Sequence, residues 1–135
     1  MVLAAGRRAD VSIVVDHDDT ARAMRSGHVE VLATPRVVAL CEEACCRAIQ
    51  SDLTEGMTTV GMKVRLDHMQ PSPVGATVTA EATLSKVEGR RLTFNVSASD
   101  DRGLVAVGKV IRVVVDEDRF LSKCGGDPVP PPAEG

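Results

Sequence analysis

Aromatic side chains are nearly absent from this chain of 135 residues, which contains two phenylalanines and no tryptophan or tyrosine. This scarcity argues against an aromatic cage for a quaternary ammonium ligand and against a platform on which nucleic acid bases stack. Because 44% of the residues are nevertheless hydrophobic, the sequence predicts a core built from aliphatic side chains.

Long apolar runs and excess positive charge are also missing. No run approaches the ~20 residues of a membrane-spanning helix, and the N-terminus lacks the apolar region of a secretory signal. The formal net charge of −3 argues against nucleic acid as a partner. We therefore expect a cytoplasmic protein without a membrane partner, with one domain over residues 1–123 and a disordered Pro/Gly-rich tail over residues 124–135.

The four cysteines do not have the spacing of a zinc site or a CxxC redox pair. Small buried side chains are the favoured interpretation, and a reactive thiol or a thiolate–metal site is the alternative. The sequence also lacks the GxSxG, GxGxxG, Walker and HExxH motifs. We therefore expect neither a metal nor a separate cofactor. The cysteines are Cys41, Cys45, Cys46 and Cys124.

The clearest predicted element is a helix that begins at Thr34 and ends between Ile49 and Asp52. Thr34 is predicted as the N-cap, and Pro35 suits the first helical position because its missing N–H would have no partner there. Apolar residues recur at the helical period and predict one buried stripe. Its members are Val37, Leu40, Cys41, Ala44, Cys45 and Ala48.

The remaining segments favour strands, apart from residues 16–32, which predict a loop with a short helical turn. In residues 57–68, alternation places Val60, Met62, Val64, Leu66 and His68 on one face. Gly108, in the middle of the last strand, indicates a bulge or a close approach of another group. One long apolar helix followed by antiparallel strands predicts an α+β hotdog fold, with the sheet wrapped around the helix. The predicted strands are 8–15, 57–68, 76–87, 90–100 and 103–117.

Two adjacent glutamates on the predicted helix differ in the face that they occupy. Glu43 precedes Arg47 by four residues, which is the spacing of a surface ion pair. Glu42 borders the apolar stripe, where desolvation favours a general base or a nucleophile near neutral pH. An edge residue that extends to solvent is the alternative interpretation of Glu42.

Thr34 and His68 each have a structural and a chemical interpretation. Besides capping, a threonine at the start of a buried helix lies where free N–H groups and the helix dipole favour a developing oxyanion. His68 faces inward beside a proline-containing bend, as a hydrogen-bonded core residue or as a proton donor. Arg90 and Arg91, near a predicted hairpin turn, are either solvated or in contact with a nucleotide phosphate.

Three segments resemble the fluoroacetyl-CoA thioesterase group of hotdog proteins. They are ATPRVVALCEEACCRAI, GMKVRLDHMQPSPVG and TVTAEATLSKVEGRRLTFNVSASD. The resemblance runs from about Val31 to about Lys123. It implies hydrolysis of an acyl-CoA thioester, in which coenzyme A is part of the substrate.

By position, the family's catalytic threonine, glutamate and histidine correspond to Thr34, Glu42 and His68. The resemblance implies that Glu42 acts as a nucleophile or as a general base on water, while Thr34 orients Glu42 or the thioester carbonyl. His68 would stabilise the oxyanion or enolate, or protonate the leaving thiolate. The predicted substrate-binding residues are Gly61, Arg112, Arg90 and Arg91.

The chain departs from the family in the segment ahead of Thr34, where the fluoroacetyl enzyme has a phenylalanine lid. Residues 16–33 contain no phenylalanine, and Arg25 and His28 occupy the corresponding positions. Pro35 replaces a glycine that follows the family's threonine. We therefore expect a homodimeric or tetrameric thioesterase for a small or medium acyl group, with fluoroacetyl-CoA not its substrate. A non-catalytic acyl-CoA-binding protein and a hotdog enoyl-CoA hydratase are the alternatives.

Overall fold

The computed structural model describes residues 3–125, and most of the predicted tail lies outside the described residues. Within this range, no helix is long and apolar enough to cross a membrane. The predicted helical turn ahead of Thr34 is confirmed, whereas the C-terminal helix was not predicted. The elements are β1 (Arg8–Val14), α1 (Ala21–Met24), α2 (Thr34–Ile49), β2 (Met57–His68), β3 (Thr77–Glu88), β4 (Arg91–Asp100), β5 (Gly103–Asp116) and α3 (Glu117–Lys123).

The five strands form one antiparallel sheet in the order β1-β3-β4-β5-β2. Helix α2 packs against one face of this sheet, mainly over β1 and β3. Its apolar stripe is buried, which confirms the predicted pattern and the α+β arrangement. Of the two edge strands, α2 packs closely against β1, whereas most residues of β2 are half-buried or exposed.

The core is aliphatic, as predicted, and Phe94 is its single aromatic side chain. Cys41 and Cys45 are fully buried on α2. Burial raises the pKa of Cys41 to about 11. Burial also raises the pKa of Cys45, and it outweighs the opposite effect of Arg112. Both thiols therefore stay protonated at neutral pH, which supports their interpretation as small core residues.

Strand β2 contains a bulge that changes the predicted inner face. Gly61 pairs with Arg112 and Lys63 pairs with Ile111, so Met62 is the extra residue. Ahead of the bulge the inward residues are therefore Thr59 and Gly61, and the prediction that Val60 and Met62 share a face with His68 is wrong. Beyond the bulge the prediction for Val64, Leu66 and His68 is correct, because they pair with the inner-face positions of β5.

Candidate active site

The entry into α2 is set one residue earlier than the sequence predicts. The N-cap is Ala33, whose carbonyl accepts the N–H groups of Arg36 and Val37 at 3.0 and 3.1 Å. Ala33 is held in an extended conformation, because its own N–H donates to the carbonyl of Asp19 at 2.9 Å. The prediction that Thr34 is the N-cap is therefore wrong, and Pro35 takes the second helical position instead of the first.

The hydroxyl of Thr34 makes a different contact. Its Oγ1 lies 2.8 Å from Nδ1 of His68, at the end of β2. The other ring nitrogen of His68, Nε2, is buried and has no hydrogen-bond partner within residues 3–125. Desolvation lowers the pKa of His68 below its ordinary value, and it outweighs a contact with the backbone of Gln70 that raises this pKa. At neutral pH the pair thus presents a neutral imidazole with one ring nitrogen still available to bond a substrate.

Glu42 lies two turns further along α2 and is held by a cation from the sheet. Its Oε2 accepts a hydrogen bond of 2.6 Å from Nη1 of Arg112 on β5. The side chain of Arg112 is 9% exposed and that of Glu42 is 31% exposed, so this charge-assisted bond is largely shielded from water. The carboxylate is therefore fixed in direction and still accessible on one side.

Gly61 provides the space that this carboxylate occupies. A Cβ atom at this position would lie 2.6 Å from Oε2 of Glu42 and 3.4 Å from Nη1 of Arg112. Any side chain at position 61 would therefore displace Glu42 from its partner. Gly61 and Arg112, both predicted to bind substrate, lie against Glu42 in the structure.

Thr59 completes this cluster and was missed by the sequence analysis. Its Oγ1 accepts a hydrogen bond of 2.9 Å from Nε of Arg112, and its carbonyl accepts another of 2.9 Å from Nη2. A period-two pattern continued through Met62 would place Thr59 on the outer face, whereas the bulge places it on the inner face. A glycine inside an otherwise regular strand, Gly61, was the available signal of this bulge.

The other charged candidates lie outside the cluster. Glu43 pairs with Arg47 at 3.1 Å on the exposed side of α2, which confirms the predicted surface ion pair. Arg90 and Arg91 are exposed at the turn between β3 and β4. Within residues 3–125, neither arginine hydrogen-bonds to a catalytic candidate, and no group of three metal-ligating side chains is disposed to hold a metal.

Two separate reactive pairs thus lie on one helix. Thr34 and Glu42 are eight residues apart, which places their α-carbons about 12 Å from each other along α2. Thr34 bonds to His68 and does not orient Glu42, which bonds to Arg112. One pair can donate a hydrogen bond to a developing oxyanion or a leaving group, and the other presents a carboxylate base or nucleophile.

A groove of about 440 Å³ opens between α2 and the start of β2, next to the Glu42 cluster. Leu53 and Cys46 give it an apolar part, and Thr59 connects it to Arg112. Glu42 does not line this groove, which opens on the side of α2 that carries Glu43. Its other lining residues are Glu43, Arg47, Gln50 and Thr58.

Comparison with known proteins gives consistent matches over most of the chain. The profile of the fluoroacetyl-CoA-specific thioesterase family matches residues 15–118. The fluoroacetyl-CoA thioesterase of Streptantibioticus cattleyicolor is 39% identical over 94 residues, which are 70% of this chain and 68% of that protein. A crystal structure of a fluoroacetyl-CoA-specific thioesterase superposes with a TM-score of 0.87 at 33% identity, covering 93% of this chain and 97% of the other. A thioesterase superfamily member of Thermus thermophilus superposes with a TM-score of 0.83 at 28% identity, covering 90% of each chain.

Proposed function

The chain belongs to the fluoroacetyl-CoA-specific thioesterase family of hotdog-fold thioester hydrolases, and on this premise we propose that it hydrolyses a small or medium acyl-CoA. The observation that carries the proposal is the Glu42 carboxylate, fixed by Arg112 at 2.6 Å and accessible on one side. Gly61 provides the space for this carboxylate.

In the proposed reaction Glu42 acts on the thioester carbonyl in one of two ways. As a general base it takes a proton from water, whose oxygen then bonds to the carbonyl carbon; as a nucleophile it forms an anhydride that water opens. In both routes the C–S bond breaks, one water is consumed, and the proton released ends on the coenzyme A thiolate. The Thr34–His68 pair supplies one hydrogen bond to the carbonyl oxygen as negative charge develops on it.

The geometry of one chain favours a homodimer as the working unit. The α-carbons of Glu42 and Thr34 lie about 12 Å apart along α2, and within one chain each side chain bonds to a different partner. Val64 lies on the inner face of β2 but is 37% exposed, although α2 contacts this strand on either side of it, at Gly61 and at His68. A second copy packed against β2 would cover Val64, and we propose that the working site combines the Thr34–His68 pair of one subunit with Glu42 of the other.

We propose that the enzyme does not require fluorine on the acyl group of its substrate. The segment ahead of Thr34 contains no phenylalanine, and both Arg25 and His28 are exposed there. Arg25 adopts a left-handed backbone conformation with a φ of 61° at the end of α1, so a short turn occupies this place. The large exposed apolar side chains of this segment are Met24 and Val29, so it offers no aromatic lid over a fluoromethyl group.

A thiol-release assay over a panel of acyl-CoA thioesters tests the proposal. The panel contains acetyl-, fluoroacetyl-, branched short-chain and aromatic acyl groups. We expect hydrolysis of at least one thioester and no preference for fluoroacetyl-CoA over acetyl-CoA. A strong fluoroacetyl preference would contradict the substrate assignment, and binding without thiol release over the whole panel would support an acyl-CoA-binding protein instead.

A further inference from the structure

Arg112 is a buried cation whose orientation depends on one neighbouring residue. Three of its hydrogen bonds fix the guanidinium, and two of them go to Thr59. Thr59 is itself only 8% exposed, so water does not compete easily for these contacts. The third bond goes to Glu42.

The two bonds to Thr59 define the plane of the guanidinium. Nε donates to the hydroxyl and Nη2 donates to the carbonyl, both at 2.9 Å, so the group is held by two adjacent donors. Nη1 then points at Glu42. Because the guanidinium is planar and rigid, a rotation at Nε moves Nη1 away from the carboxylate.

The hydroxyl of Thr59 is the replaceable part of this arrangement. The carbonyl is present with any residue at position 59, whereas the hydroxyl requires threonine or serine. Without it, the Nε–H of Arg112 would be buried with no acceptor, which is costly for a charged donor. The guanidinium would then turn toward another acceptor, and the partly exposed Glu42 would follow it or move into solvent.

We propose that Thr59 is a positioning residue for thioester hydrolysis, which acts through Arg112 to fix the direction of the Glu42 carboxylate. The proposal rests on the proposed function for its kinetic consequences, and on the contacts of Arg112 for its structural ones. The bulge at Met62 makes the arrangement possible, because it places Thr59 and Gly61 on the same face as Arg112.

The test compares Thr59→Val, which keeps the shape of the side chain, with Thr59→Ser, which keeps the hydroxyl. We expect Thr59→Val to lower kcat about tenfold, the scale of one lost charge-assisted hydrogen bond, with KM changed by less than about twofold. Thr59→Ser should restore most of kcat. Thr83→Val, at a half-buried threonine on β3 away from the cluster, is the matched control and should behave like the unmodified protein.

A double variant distinguishes an effect of Thr59 that acts through Arg112 from a general packing effect. In an Arg112→Lys variant the guanidinium is gone, so adding Thr59→Val should change kcat by less than about twofold. A full tenfold loss in that background would show that Thr59 does not act through Arg112. If Thr59→Val does not fold, Thr59→Ser and Thr59→Ala, which differ only in the hydroxyl, replace the first comparison.

A crystal structure of Thr59→Val gives a readout that does not need activity. We expect the bond between Arg112 and Glu42 to lengthen well beyond 2.6 Å or to break. An intact bond together with unchanged kcat would overturn the inference, as would a loss of kcat that serine does not restore. If the unmodified protein hydrolyses no thioester, the proposed function fails, and the crystal structure alone still decides whether Thr59 positions Arg112.

Discussion

The hydroxyl of Thr34 lies 2.8 Å from Nδ1 of His68, while Ala33 makes the backbone turn into α2. Replacing Thr34 with valine should therefore lower kcat about tenfold, because the imidazole loses the partner that orients it. The free energy of unfolding should fall by less than the ~1 kcal/mol that the loss of a true N-cap costs. Steady-state kinetics and chemical denaturation measure the two effects.

Thr34→Ser is the control for this change, since it keeps the hydroxyl and should keep most of the activity. The opposite pattern, an unchanged kcat with a clear loss of stability, would show that Thr34 serves the helix and not the reaction.

The pKa of His68 gives a second prediction for a single residue. Desolvation lowers this pKa below its ordinary value of 6.5. Between pH 6.5 and this lower pKa, His68 is therefore mostly protonated in the unfolded chain and mostly neutral in the folded protein. The stability contributed by neutral His68 is present above pH 6.5. It is lost as the pH falls through the lower pKa that His68 has in the folded protein. We expect an NMR titration of the His68 ring to show a midpoint below that of a short peptide containing it. A midpoint at or above that of the peptide would contradict the desolvated site.

Single residues were predictable where the contact is local. The helical period separated Glu42 from Glu43, and the Glu43–Arg47 pair follows from a spacing of four. The bonds from Arg112 to Glu42 and Thr59 join residues 70 and 53 positions apart, respectively. Such contacts depend on the strand register, which no local pattern specifies. The resemblance named Arg112, but not what it touches.

At the scale of elements, the pairing of β2 with β5 depends on Gly108. A Cβ atom at this position would lie 1.9 Å from the carbonyl oxygen of Arg65 and 2.9 Å from the Cα of Leu66. Both atoms belong to the backbone of β2, so the strands would have to separate. We expect Gly108→Ala to lower the free energy of unfolding by about 3 kcal/mol, measured by chemical denaturation.

Gly27→Ala is the matched control for Gly108→Ala, because its Cβ would meet Ala21 at 3.5 Å, an ordinary contact. This variant should unfold close to the denaturant concentration of the unmodified protein. Equal stability of the two alanine variants would show that the close approach of β2 and β5 is not a constraint.

The strands themselves were predictable from alternation, but the bulge in β2 was missed, although Gly61 inside the strand was a signal of it. Alternation carries no marker of an inserted residue, so the pattern correctly placed Val64, Leu66 and His68 and misplaced Val60 and Met62. The entry of α2 was misjudged for a similar reason. The N–H of Ala33 donates to the carbonyl of Asp19, which is distant in sequence, and this contact fixes where α2 begins. Capping preferences describe only neighbours in sequence.

At the scale of the whole molecule, the proposed dimer makes a prediction about mixed subunits. A chain with Glu42→Gln and a chain with His68→Gln are each expected to be inactive alone. In a mixed dimer with shared sites, one site combines His68 from the first chain with Glu42 from the second and is intact. Co-expression should then restore roughly a quarter of the unmodified activity, since half of the dimers are mixed and each holds one intact site.

An assay of the co-purified mixture, with its mass measured by light scattering, checks this prediction. A mixture no more active than its separate components would mean that both pairs serve a site within one chain.

The overall fold was predictable because one long apolar helix and four consecutive strands allow few packings. The pairing of Thr34 with His68 and of Glu42 with Arg112 was not predictable, because the sequence alone did not show which partner each side chain takes.

The central claim is that Glu42 performs the chemistry of thioester hydrolysis, and comparing it with the adjacent Glu43 tests that claim most directly. Glutamine at position 42 still offers Arg112 an acceptor, so the fold should be kept while kcat on the best thioester falls by about a hundredfold or more. Glu43→Gln removes only an exposed ion pair and should keep nearly full kcat. Normal turnover by Glu42→Gln would contradict the account.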